Sequence, residues 1–143
     1  MDLTKRFPRS PRERMEGVAM LARTIDKARA ALAGTLGEYY YDCPMDQQLF
    51  ATLGVDGEEF KRAVDGAPDD ATVIAWLREK GSLKSPDAFA AHNRAIDAWE
   101  PKSDAGRARF EEQRNAIAPG RSDVRNWTDL IEFEEGRIPA GRN

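Results

Sequence analysis

The 143-residue sequence predicts an all-α fold, a compact single-domain bundle of about six or seven helices with one short extended segment. Three observations carry that prediction. Apolar side chains recur at alternating spacings of three and four, the period of one helix face. Several of the eight prolines follow a residue able to cap a helix, at the first helical position where a missing N–H costs nothing. Strand-like alternation is confined to the tyrosines at 39–41.

Ser10-Pro11-Arg12-Glu13 has the form of a capping box, in which the Ser10 hydroxyl accepts from a free N–H and Glu13 reaches back. From there Met15, Val18, Ala22, Ile25, Arg29, Leu32 and Leu36 fall on one stripe, predicting a long central first helix ended by Gly34 and Gly37. "EYYYD" follows as the extended piece, with Tyr39 and Tyr41 on one side and Tyr40 on the other. Pro44 opens a second helix with Met45, Leu49 and Leu53 inward, closed by Gly54. Asp56-Gly57 leads into a short helix carrying Phe60, Ala63 and Val64; Gly66 and Pro68 separate it from another carrying Val73, Ile74 and Leu77, and the two form a hairpin of helices. Phe89, His92, Ile96 and Trp99 share a face of the next helix. Residues 103–118 form a helix that is polar around most of its circumference and therefore lies on the surface. A last helix, from about Asn126 to Gly136, turns Trp127, Leu130 and Ile131 inward and Asp129, Glu132, Glu134 and Glu135 outward. The short loops leave no room for a linker, so residues 1–143 read as one domain with a basic arm at 1–10.

Apolar residues make up 41% and charged residues 33% of the chain, too hydrophobic for disorder and too polar for a membrane protein. No apolar run approaches the roughly 20 residues that cross a bilayer. The opening "MDLTKRFPRSPRER" carries prolines and acids where a signal peptide needs an apolar stretch, and a single cysteine forms no internal disulfide; both point to a reducing cytoplasm. Charge is uneven: residues 1–29 hold eight Lys/Arg against four Asp/Glu, while the remainder is acidic, at −7. Lys5, Arg6, Arg9, Arg12 and Arg14 form a basic arm able to meet phosphates, but the acidic body opposes nucleic acid, and the arm can instead fold back on the acidic last helix.

The sequence concentrates its chemistry in "YYYDCPMD", residues 39–46, which holds every tyrosine and the only cysteine. With Pro44 as first helical residue, Cys43 caps a helix, where free N–H groups favour a thiolate, while Asp42, Asp46 and aromatic burial oppose it. His92, the only histidine, shares a face with Phe89, Ile96 and Trp99 and reads as a core or boundary residue before it reads as the base of a Cys43–His92 pair. Arg23, Lys27 and Arg29 cluster around Asp26 on the first helix, and Arg29 stands where the stripe calls for an apolar residue. It therefore pairs with an internal acid, Asp26, Asp42 or Asp46, or faces an anion. The structural option is an ion pair tying the first helix to the tyrosine turn. One cysteine and one histidine make no structural zinc site, the acids of "VDGAPDDATVIAWL" do not match a calcium loop, and no phosphate-cradling glycine loop is present; no metal or cofactor is expected.

The stretches "RTIDKARA" at 23–30, "GEYYYDCPMDQ" at 37–47 and "DVRNWTDLIEFEEG" at 123–136, with the opening "DLTKRFPRSP", resemble an uncharacterised bacterial domain-of-unknown-function family, DUF5069, over nearly the whole chain. Ala22 stands where that family would have proline, and Met45 where it would have leucine. The resemblance implies no activity, cofactor or catalytic residue. The residues themselves lead to one expectation: the turn entering the second helix lies against the basic side of the first. Arg23, Lys27, Arg29, Tyr39, Tyr41, Asp42 and Asp46 then bind a small anionic ligand or a protein partner, the cations holding charge and the phenols offering flat faces. The alternative is a thiol-dependent enzyme or redox protein using Cys43, with Arg23 or Lys27 stabilising it. A scaffolding module is the third, with an exposed apolar patch around Trp76 or Trp99.

Overall fold

The computed structural model describes residues 1–138. Among them are seven α-helices, one 3₁₀ turn and a two-residue ladder, so the all-α prediction holds. The contacts divide the chain into two compact units, Met1–Arg94 and the segment from Ala95 onward.

In the first unit the expected long helix begins late. Ser10 does start a turn, its hydroxyl accepting from the Arg12 N–H and its carbonyl from that of Glu13, but no helix follows. Instead β1 (Arg14–Met15) pairs antiparallel with β2 (Val18–Ala19). The two residues between them, Glu16 and Gly17, have φ of 53° and 75°. Two left-handed residues make the tight turn whose twist suits a hairpin, and this local geometry overrides the three-and-four spacing of Met15 and Val18. Met20, at φ 74°, then turns the chain into α1 (Leu21–Ala33), which Gly34 ends as predicted.

Helix α1 is the axis of this unit: Leu21, Ala22, Ile25 and Ala28 are wholly buried. Around it lie α2 (Pro44–Leu53), α3 (Gly57–Asp65) and α4 (Asp70–Glu79), closed respectively by Gly54, Gly66 and Lys80. Asp56 and Asp69 cap α3 and α4 by accepting from the N–H of Glu59 and Thr72. The inward faces are those expected: Leu49 and Leu53, Phe60 and Val64, Val73 and Leu77 are all buried. An aromatic row runs through them, Tyr41 to Phe50 at 5.9 Å, Phe50 to Phe60 at 5.2 Å and Phe60 to Trp76 at 6.3 Å between ring centres. Pro86–Phe89 forms the 3₁₀ turn that leads into α5 (Ala90–Asp97).

The tyrosine stretch is not a strand; residues 35–43 are turns and irregular chain. Its backbone is not free to extend, because Asp42 sits at φ 70° and the following chain is drawn down at once into α2.

In the second unit α6 (Asp104–Ile117), capped by Ser103, and α7 (Trp127–Glu134), capped by Asn126, enclose a small core of Phe110, Ala118, Val124 and Leu130, with Trp127 and Phe133 against it. The Phe110 and Trp127 rings meet edge to face at 5.1 Å. Helix α6 buries only Gly106 and Phe110, in keeping with a surface helix. Glu132 and Glu135, expected outward, are buried, because Arg137 folds back to pair with both. No helix among the described residues is long and apolar enough to cross a membrane.

Candidate functional site

Arg23 and Lys27 are one turn apart on α1 and so project from the same face. The chain leaving α1 returns across that face through the tyrosine turn, and Pro44 starts α2 with Cys43 as its cap. Asp46, at the third position of α2, reaches back toward the cap and is wholly buried. Its carboxylate accepts from the N–H of Asp42 at 3.0 Å and of Cys43 at 3.2 Å, from the Thr24 hydroxyl at 2.7 Å, and from the Lys27 ammonium at 2.7 Å. Four donors hold this carboxylate, which is the condition under which a buried charge is tolerated.

Lys27 is sealed as well, its side chain 4% exposed. The ammonium that holds Asp46 also lies 3.3 Å from the Cys43 sulfur. Cys43 itself is only partly buried, so sulfur, ammonium and carboxylate form a chain that runs from a partly buried residue into the interior. Beside it, the Arg23 guanidinium stands over the Tyr39 ring, 5.5 Å from its centre, and donates to the Arg9 carbonyl. Tyr40 is 79% exposed.

The structure therefore brings Arg23, Lys27, Tyr39, Cys43 and Asp46 together, and it places three other expected residues differently. Arg29 reaches the Ala67 carbonyl at 2.9 Å and Asp70 at 3.6 Å, on the side of α3 and α4. It lines an open groove of about 350 Å³ with Met1, Leu32, Ala33, Val64, Asp65 and Ala67. Tyr41 points at α3, donating to the Gly57 carbonyl at 2.6 Å under the Lys61 ammonium. Burial first, and then the charges of Asp46, Asp42, Glu58 and Asp56, push this phenol above its ordinary pKa. The Asp42 carboxylate packs at Gly57, where an added Cβ would lie 3.0 Å from its carboxyl carbon. The ion pair expected to tie α1 to the tyrosine turn exists, made by Lys27 rather than Arg29.

His92 is buried elsewhere in the first unit, Nε2 at 2.9 Å from the Ala19 carbonyl and Nδ1 at 3.3 Å from the Thr52 hydroxyl. Arg9 of the basic arm is taken up by α1 and α4, binding Asp26 through its backbone N–H and guanidinium and Asp70 at 2.8 Å. Burial works against its charge, but the hydrogen bonds to Asp70 and Asp26 outweigh that and hold its pKa above the usual range. Trp76 and Trp99 are partly buried, each with a lysine ammonium over its ring, Lys80 and Lys102. Among the described residues no group of three acids, histidines or cysteines is arranged to hold a metal.

One site residue escaped the sequence reading. Thr24 is buried and donates to Asp46, and its only sequence signal is a polar residue next to the apolar stripe of α1. The model of a family described as a domain of unknown function, DUF5069, matches residues 5–137. No curated protein matches the chain.

Proposed function

We propose, from the premise that this chain belongs to the domain-of-unknown-function family DUF5069, that it works through the Cys43 thiol, as a thiol-dependent enzyme or redox protein of a bacterial cytoplasm. The observation that carries this reading is the 3.3 Å approach of the Lys27 ammonium to the sulfur. Negative charge that develops on sulfur as it attacks or is released meets a donor already in place, held by its bond to Asp46 and needing no rearrangement. Because Asp46 takes part of the ammonium's field, Lys27 acts on sulfur as a positioned donor more than as a free cation. The sulfur also stands at the start of a ten-residue helix, where backbone dipoles act in the same sense. His92, engaged with Ala19 and Thr52, is not the base in this scheme. A single thiol that forms no internal disulfide suits a compartment that keeps cysteines reduced.

The test is the rate at which iodoacetamide labels Cys43 in the folded chain and in the same chain unfolded by urea, at one pH. Faster labelling in the folded chain is expected. Slower labelling there, or none, overturns the reading.

A second reading, a surface that takes a protein partner or a small anion, is supported by the exposed Tyr40 beside the Arg23–Tyr39 stack. Native mass spectrometry of the purified protein checks it: a retained small molecule or an oligomer that Tyr40→Ala abolishes is the expected result, and a bare monomer counts against it.

A further inference from the structure

We infer that Lys27 and Cys43 are the two ends of an oxidative crosslink: when peroxide oxidises the sulfur, the Lys27 amine captures it and joins α1 covalently to the cap of α2. This deepens the thiol reading given above and rests on it. What carries it is the amine: a side chain 4% exposed, held on one side by Asp46 at 2.7 Å, with its nitrogen 3.3 Å from sulfur. Two nucleophilic atoms at that separation are already in contact, so the bond forms with little backbone movement. Cys43 is the partly buried member of the pair and Lys27 the sealed one, so an oxidant as small as peroxide approaches from the Cys43 side while the amine stays shielded from solvent.

The steps balance. Hydrogen peroxide takes two electrons from the thiol, its O–O bond breaks, and a sulfenic acid and one water result. The Lys27 ammonium gives a proton to Asp46, the carboxylate already bonded to it, and becomes a neutral amine. That nitrogen attacks the sulfur, an S–N bond forms, the S–O bond breaks, and the hydroxide released takes a proton from nitrogen to leave as a second water. The product is a sulfenamide, the condensation known for sulfenic acids and backbone nitrogen. Electrostatics favour the outcome: a buried ammonium and carboxylate become a neutral amide-like nitrogen and a neutral carboxylic acid, so no uncompensated charge is left inside. A dithiol reductant attacks the sulfur, the S–N bond breaks to return the amine and leave a mixed disulfide, and its second thiol then releases Cys43 as the reductant closes to its own disulfide, which restores the original pair.

The experiment treats the reduced full-length protein with hydrogen peroxide and measures intact mass and the masses of its peptides. The expected result is a chain lighter by two hydrogens, in which the peptide holding Lys27 is joined to the one holding Cys43, and from which dithiothreitol regenerates the starting mass. Lys27→Arg, which keeps a cation for Asp46 but offers no amine, is expected to lose the joined peptide and give a sulfenic acid that dimedone traps. Oxidation of Cys43 to sulfinic or sulfonic acid in the unaltered protein with the Lys27 peptide left free, or joining of Cys43 to another lysine, overturns the crosslink while leaving a reactive thiol. A Cys43 that peroxide does not touch overturns the crosslink and the thiol reading together.

Discussion

Lys27 and Arg29 stand two residues apart on one helix, and each meets an aspartate. Lys27 and Asp46 are 2.7 Å apart with side chains 4% and 0% exposed. Arg29 and Asp70 are 3.6 Å apart with side chains 23% and 38% exposed, and Nη2 of Arg29 has no hydrogen-bond partner. Two residues of helix turn a side chain through more than half a circle, so the two cations cannot share a site. The difference in surroundings decides what each does. A sealed pair whose carboxylate takes four donors behaves as a structural joint, and its ammonium becomes a fixed tool for the sulfur beside it. A longer and more exposed pair contributes less, and Arg29 lines an open groove.

Asp46→Ala strips Lys27 of its partner inside the protein and is expected to cost roughly 3–5 kcal/mol in urea unfolding, whereas Asp70→Ala, which breaks the partly exposed pairs of Asp70 with both Arg29 and Arg9, is expected to cost less, about 1–2 kcal/mol. Equal losses would show that burial does not separate the two pairs. Thr24→Val removes one of the four donors to the Asp46 carboxylate and should cost about 1.5–3 kcal/mol by the same measurement, as expected for a hydrogen bond to a charged group.

Tyr41→Phe, which loses only the bond to the Gly57 carbonyl, should cost about 1 kcal/mol near neutral pH. The same phenol gives the pH dependence a definite sign. Its pKa is raised on folding, so the unfolded chain releases the proton first. The stability that Tyr41 contributes is complete below its ordinary value of 10.0 and is lost as pH rises beyond it. The urea midpoint of the native chain should therefore fall more steeply above pH 10 than that of Tyr41→Phe, and parallel curves would count against the assignment. Gly57→Ala is expected to shift stability least, within about 0.5 kcal/mol, because the added Cβ meets the end of an exposed Asp42 side chain that can swing away. A larger loss would show that Asp42 is held more firmly than its exposure suggests.

The caps and stops of this chain are local, and they were legible. Pro44 opening a helix, Asp56 before another, Asn126 before the last, and glycines at 34, 54 and 66 each act through backbone groups a few residues away. The first helix was misjudged at its start because Met15 and Val18 fit its stripe. The Glu16-Gly17 turn that excludes them is equally local, but it demands two positive φ values, and only one of those residues is a glycine. At the site, Lys27 and Arg23 shared a face by spacing alone, and the same spacing already removed Arg29 from it. The apolar stripe through Arg29 hid that, since it made the residue look like part of the core when its guanidinium turns instead to the Ala67 carbonyl and Asp70.

By itself, then, the sequence determined the helices, most of their inward faces and the position of a cysteine at the head of one of them, because capping, periodicity and proline geometry are decided within a few residues. Only the tertiary structure decided which cation meets that cysteine, that Thr24 and Lys27 share Asp46, that Glu132 and Glu135 turn inward to Arg137, and that Arg9 is spent on Asp26 and Asp70. The physical reason is that every polar group taken from water must find a partner, and which partner lies within reach is a property of how elements pack, not of their order along the chain.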